Sequence, residues 1–145
     1  MNDNVNSSHL NITILHGHRS VLAHDLETLI VKEFQHTVKM VHYETMTDDD
    51  ICKADVIFII VEKMNHPKTI ALLQKIKADL KGLHRFTVAV VPTDPEFGTD
   101  WTIGREAMGM GIHWFMGQYY NQRSLLLEVK KAFEHRSYRL QHKQD

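Results

Sequence analysis

Short apolar runs alternate along the chain with longer segments in which apolar residues recur every three or four positions. The runs rich in β-branched residues indicate strands, predicted at 10–15, 37–43, 55–62, 86–91 and 112–116. The helical spacing predicts helices at 21–34, 47–53, 67–83, 101–108 and 122–141. Strands and helices that alternate in this way form a parallel sheet with helices on both faces. The pattern therefore predicts a single (βα)5 α/β domain with a doubly wound, five-stranded parallel sheet.

Other residues set the ends of these elements. The run DVIFIIVE is apolar at consecutive positions, which is typical of a central strand buried on both faces. Pro67 fits the first turn of the third helix, and Gly82 fits its end. Either Asn121 or Ser124 is expected to cap the final helix. The stretch PTDPEFGTD at 92–100 contains two prolines, a glycine and three acidic residues, so we expect a loop without helix or strand.

Composition narrows the class of protein. The chain has 145 residues and a net charge of −1, which fits one domain and does not favour direct nucleic-acid binding. The longest apolar run, VIFIIV, is too short to span a membrane, and no basic-then-apolar leader opens the chain. Cys52 is the only cysteine, so an internal disulfide is impossible and a cytoplasmic location is expected. The eleven histidines are spread along the chain, so their number alone does not indicate a site.

The stretch GREAMGMGIHWFMGQYYNQRSLLLEVKKAF resembles the end of the response-regulator receiver domain, the CheY-like family. Ala107, Gly111, Phe115 and the pair Leu125-Leu126 fall at the spacing of that family's pattern. The resemblance extends over residues 10–133 and implies a flavodoxin-like fold. It divides the chain into a flexible tail at 1–9, a receiver-like domain at 10–135, and a polar helix end or connector at 136–145.

The resemblance also identifies where phosphorylation chemistry would lie. A receiver accepts a phosphoryl group on an aspartate at the end of its third strand, beside Mg²⁺ held partly by two acidic residues after strand one. In this chain His16 and Gly17 occupy the positions of those two acids. Mg²⁺ prefers hard oxygen ligands, which neither residue supplies from its side chain.

The remaining positions of the phosphorylation pocket are altered as well. The acceptor position falls on Val61, or on Glu62 if the alignment slips by one residue. The family's strand-four hydroxyl maps to Pro92 or Thr93, and its phosphate-binding lysine maps to Gln118. The joint loss of acid pair, acceptor and lysine predicts a degenerate pseudo-receiver: a non-catalytic regulatory domain that works without phosphorylation and without a cofactor. Bacterial signalling or transcription control is the expected setting.

The resemblance implies a partner-binding face as well. Receivers commonly dimerise or dock partners through the fourth helix, fifth strand and fifth helix, and this region is rich in aromatic residues: Trp101, Trp114, Phe115, Tyr119 and Tyr120. Phe115 matches a rotating aromatic of the family's switch, while Trp114, of opposite strand parity, and Tyr120, just beyond the strand, are candidates for the outer face. Met108 and Met110 could add an adaptable apolar surface. The expected partner is a second copy, a signalling protein or a C-terminal output domain; no membrane partner is expected.

A sensor of a small ligand, nucleotide or metal at the strand ends is the alternative. His16 and His18 could bind Zn²⁺ with Glu62 or Asp94, since imidazole and carboxylate suit zinc. A phosphohistidine at His16 and an anion held by Arg19 are weaker alternatives. The loop HGHRS has a single glycine and lacks the Gly-x-Gly-x-x-Gly spacing of a dinucleotide site.

Overall fold

A computed structural model describes residues 9–17, 21–61, 71, 74, 86–91, 93–94, 98–99, 101–109, 111–118 and 121–142. Five of its strands form one sheet: β1 (Asn11–His16), β2 (Thr37–His42), β3 (Val56–Ile60), β4 (Phe86–Val91) and β7 (Trp114–Gly117). Their order is β2-β1-β3-β4-β7, and every neighbouring pair is parallel. The predicted fold class is thereby confirmed.

The described helices agree broadly with the predicted ones: α1 (Val21–Leu29), α2 (Asp48–Cys52), α3 (Trp101–Gly109) and α4 (Gln122–Gln141). Asn121 caps α4, because its side-chain oxygen accepts hydrogen bonds from the backbone N–H groups of Arg123 and Ser124. Of the third predicted helix, at 67–83, only residues 71 and 74 are described, and both are helical. No helix among the described residues has the length and apolar character needed to cross a membrane.

The core lies on both faces of the sheet. All five residues of β3 and all six of β4 are buried, as expected for central strands. On one face, Leu26 of α1 and Val129 of α4 pack against Phe58 of β3. On the other face, Ile51 of α2 and Ala107 of α3 belong to a second buried cluster. The helices packed on the two faces hold the sheet in place, and a functional site is expected at the carboxyl ends of its strands.

Three local predictions need correction. We expected a loop without strands at 92–100, but this segment contains two short antiparallel strands, β5 (Thr93–Asp94) and β6 (Gly98–Thr99). Strands of two residues are too short to show the alternation of apolar and polar residues that predicts a strand. The last main strand begins at Trp114, two residues later than predicted. The first helix changes to a π-helix over Ile30–Phe34, and Gln35 ends it in the left-handed region with φ 58°.

Candidate functional site

The carboxyl ends of β1, β3 and β7 bring His16, Val61 and Gln118 to one edge of the sheet. The strand registers support this, since Leu15 pairs with Ile59 and Val91 pairs with Gly117. This edge is the place where open α/β sheets bind their ligands. The residues that phosphoryl transfer requires would therefore have to lie at this edge.

Val61, one of the two residues that the resemblance places at the acceptor position, is an aliphatic core residue. Its exposed fraction is 0%, and it belongs to the second buried cluster. Its backbone N–H donates a 2.9 Å hydrogen bond to the carbonyl of Val90 on the neighbouring strand. An isopropyl group has neither the charge nor the lone pairs to attack a phosphoryl group.

Gln118 lies where the resemblance implies a phosphate-binding lysine, and it binds protein backbone. Its Nε2 amide donates to the carbonyl of Val61 at 3.1 Å and to the carbonyl of Val90 at 3.2 Å. The two bonds join the carboxyl ends of β3 and β4. A neutral amide that is engaged in this way cannot supply the positive charge that a phosphoryl oxygen requires.

Tyr43 closes the same edge from the other side. It follows β2 directly, and its hydroxyl donates to the carbonyl of Ile60 at the end of β3. Tyr43 was not among the predicted site residues. The sequence shows only that the run TVKMVHY ends in an aromatic residue. Which strand the Tyr43 side chain contacts depends on the order of the strands in the sheet.

His16 is part of a pair of rings. It lies beside His42 in the parallel register of β1 and β2, and the two rings meet edge to face with centroids 5.7 Å apart. His42 accepts a hydrogen bond at Nδ1 from the backbone N–H of Glu44, so its proton is on Nε2. Gly17 follows His16 in a bend. The positions to which the resemblance assigns the acid pair thus hold an imidazole packed on a second imidazole and a residue without a side chain.

Several predicted site residues lie outside the described part of the chain, namely His18, Arg19, Glu62, Pro92, Met110, Tyr119 and Tyr120. The backbones of Thr93, Asp94 and Trp101 are described, but their side chains are not. Both the alternative acceptor and the zinc ligand set therefore stay predictions. Within the described residues, no three histidine, cysteine, aspartate or glutamate side chains are close enough to hold a metal ion.

Phe115 and Trp114 point to opposite sides of the sheet, as their strand parity predicts. Phe115 is half-buried in the second cluster and covers Gly104 of α3, where a Cβ atom would lie 2.3 Å from the ring. Packing thus fixes the position of Phe115. Trp114 was expected on the outer face, but α4 covers it: its ring lies 4.3 Å from that of His135, and it packs on the first cluster.

A second group of polar residues, at the amino ends of the strands, was not predicted. His113 precedes β7 and accepts a 3.1 Å hydrogen bond at Nδ1 from the backbone N–H of Thr87, while its ring stacks on Phe86 at 5.4 Å. Burial, with the positive charge of Arg139 and the nearby His135, lowers the pKa of His113 to about 4. The predicted strand 112–116 included His113, whereas the strand begins one residue after it, at Trp114.

The five-stranded parallel sheet with helices on both faces has the flavodoxin-like α/β fold, which CheY-like receivers and flavodoxins share. The receiver domain of NtrX from Brucella abortus matches with a TM-score of 0.62 and 16% identity, covering 85% of this chain and 98% of that one. A flavodoxin from Megasphaera elsdenii matches with a TM-score of 0.60 and 14% identity, covering 88% and 98%.

A longer NtrX structure from Brucella abortus gives a TM-score of 0.65 with 15% identity and covers 92% of this chain. This chain spans only 29% of the length of that NtrX chain. No family model matches the sequence, and no curated protein resembles it significantly. Similarity at these identities shows the fold, so the function has to be argued from the site itself.

Proposed function

We propose that this chain is a receiver-like regulatory domain of bacterial signalling or transcription control that acts in the cytoplasm, without phosphorylation, by binding other proteins. The observation that carries the proposal is the buried Val61 at the acceptor position, whose carbonyl is occupied by the amide of Gln118. This arrangement supports a structural role for the strand ends. The receiver-like fold supports a regulatory role.

The chemistry of the strand ends agrees with a non-enzymatic domain. Phosphoryl transfer to protein needs a nucleophilic carboxylate, and it needs cations to neutralise the charge that develops on the transferred group. His16, Gly17 and Val61 supply no carboxylate, either as a ligand for Mg²⁺ or as the phosphoryl acceptor.

Protein docking is proposed for the face formed by α3, β7 and α4. On these elements Met108 and Leu127 are large apolar residues that are exposed, at 41% and 52%. Phe115 beneath this face is held by packing over Gly104, so the surface keeps one shape without a chemical trigger. A second copy of the chain or a signalling protein is the proposed partner.

Intact mass after incubation with acetyl phosphate and Mg²⁺ tests the absence of phosphorylation. We expect no added phosphoryl group, while an active receiver treated in parallel gains one. The mass of a phosphoryl adduct on this chain, located by fragmentation to any strand-end residue, would contradict the proposal. A thermal-shift screen with nucleotides and divalent metals tests the alternative sensor function, and we expect no stabilisation.

A further inference from the structure

A cleft of about 530 Å³ lies at the opposite end of the sheet from the strand-end site. Its walls come from the segments before β1 and β2 and from the last turns of α4, among them Leu10, Phe34, His36, Phe133 and Arg136. The volume lies within the range of small-molecule sites in proteins, roughly 300–1,000 Å³. The cleft and the docking face proposed above both use α4, but the exposed Met108 and Leu127 of the docking face do not line the cleft.

Aromatic rings form one wall of this cleft. Phe34 and Phe133 meet edge to face with centroids 4.9 Å apart, and the ring of His36 lies 5.4 Å from that of Phe133. His36 is nearly parallel to Phe34, with an angle of 16° between the ring planes. Such a wall fits a flat ring, which can stack or contact these rings by their edges.

The polar groups of the cleft are mainly donors. Leu10 donates its backbone N–H to Nδ1 of His36 at 3.2 Å, so the proton of this imidazole is on Nε2. Arg136 is half-buried, and its buried Nε makes no hydrogen bond to any residue that the structure describes. Lys130 adds a second cation at the wall, and Glu134 is the one acidic residue among the lining side chains.

No carboxylate among the described residues forms an ion pair with the guanidinium of Arg136. Asp55 is close enough to act on it electrostatically, but Oδ2 of Asp55 accepts a 2.8 Å hydrogen bond from the backbone N–H of Asn11. A buried cationic donor without an acceptor is costly, and an arginine stays charged at neutral pH. An anionic group in the cleft would remove that cost.

We propose that this cleft binds a small planar anion, an aromatic ring carrying a carboxylate, with the carboxylate on Arg136 and the ring against Phe133 and His36. Charge-assisted hydrogen bonds from a guanidinium fork suit a carboxylate, and the aromatic wall suits the ring. The site is independent of the proposed docking function, and either can fail without the other.

An NMR titration with naphthoate as the probe tests the site. We expect saturable binding with a dissociation constant below about 1 mM, and signal changes centred on Leu10, His36 and the last turns of α4. Naphthalenemethanol lacks the charge and acetate lacks the ring, so both should bind at least about tenfold more weakly.

The decisive variant is Arg136→Gln, which should weaken naphthoate binding by about 10- to 100-fold. Arg139→Gln is the matched control, because it removes the same charge from an exposed position on the same helix, and it should change affinity by no more than about fivefold. If Arg136→Gln does not fold, Arg136→Lys keeps the charge but loses the planar fork and should still bind several-fold more weakly. Absence of binding, or equal binding by wild type and the folded Arg136 variant, would overturn the proposal.

Discussion

Neutral side chains satisfy backbone groups at both ends of the sheet. At the carboxyl end, Gln118 and Tyr43 donate to strand carbonyls, and at the amino end His113 accepts from the N–H of Thr87. A backbone N–H can only donate, so this bond requires an unprotonated Nδ1 on His113. Protonation of His113 at Nδ1 would therefore break a hydrogen bond between β4 and the residue that precedes β7.

We predict that the free energy of unfolding decreases as the pH falls from about 6.5 to about 4. The pKa of His113 is about 4 in the folded protein against 6.5 for an ordinary histidine, so the unfolded chain binds more protons in this window. His113 contributes up to about 1.4 kcal/mol per pH unit. Burial also lowers the pKa values of His36 and His135, which add in the same direction.

Urea unfolding of wild type and His113→Asn at several pH values measures this effect. An asparagine oxygen can still accept from Thr87 but does not titrate, so the variant should show a smaller slope of stability with pH. His24→Asn, at an exposed position on α1, is the control. Equal slopes for wild type and His113→Asn would count against the role of this histidine.

We predict that Gly104→Ala destabilises the domain. The added methyl would lie 2.3 Å from the Phe115 ring, and overpacking of this kind costs about 1–3 kcal/mol, more than the gain in helix propensity of about 1 kcal/mol. Gly109→Ala on the same helix meets no atom within 4 Å and should be neutral or slightly stabilising. In a Phe115→Leu background the Gly104→Ala penalty should shrink, as measured by a double-mutant cycle from urea unfolding.

At the scale of elements, α2 is attached to two strands through one acidic residue. Asp50 is 7% exposed, and its carboxylate lies 2.6 Å from the ammonium of Lys39 on β2. The same carboxylate accepts from the backbone N–H and hydroxyl of Thr47, and the carbonyl of Asp50 accepts from Thr13 on β1. The hydrogen bond from Lys39, followed by that from Thr47, lowers the pKa of Asp50 below its usual 3.8.

We predict that Asp50→Ala lowers the free energy of unfolding by about 1–2 kcal/mol at neutral pH, because it removes the carboxylate that accepts from the backbone N–H of Thr47 at the start of α2 and pairs with Lys39. Since the folded pKa is depressed, the wild-type contribution is complete above about pH 3.8 and is lost as the pH falls through the lower folded value. Asp49→Ala removes an exposed charge paired with Lys53 and should cost no more than about 0.5 kcal/mol. Thermal melts at pH 7 compare the stability of the two variants. Equal losses of stability in Asp50→Ala and Asp49→Ala would contradict the proposed role of Asp50 in attaching α2 to the strands.

The elements that the sequence predicted well are those whose burial follows a regular pattern. The continuous apolar run 86–91 matches β4 residue for residue, and the cap and spacing of 122–141 match α4. The π-helix over Ile30–Phe34 was not predictable, because the spacing of apolar residues does not distinguish an α-helix with 3.6 residues per turn from a wider helix. The strands β5 and β6 were not predictable, because two residues are too few to show a period. Tertiary packing decides such segments.

At the scale of the whole molecule, the sequence could predict which residues end the strands but not what their side chains contact. Strand ends follow from the fold, which put His16, Val61 and Gln118 together. The direction of the Gln118 amide, the covering of Trp114 by α4 and the cleft around Arg136 depend on how helices lie over the sheet. No local pattern encodes these contacts between distant parts of the chain.

We predict that Leu127→Asp weakens self-association or partner binding through the docking face. A charge in an apolar contact should reduce affinity by at least about tenfold, since burying it unpaired is costly. Val31→Asp is the matched control, because Val31 is similarly exposed, at 48%, but lies on the π-helix after α1. Sizing at several concentrations measures the effect, and unchanged association of Leu127→Asp would argue against this face.

The strand order leaves β2 and β7 as the two outer strands of the sheet. Unpaired outer strands are templates on which other chains can add and aggregate. Here β7 has only four residues, and β2 carries Lys39 with its side chain 64% exposed. A short strand and a charged strand both discourage further pairing, so the two edges of this sheet are poor templates for the addition of another strand.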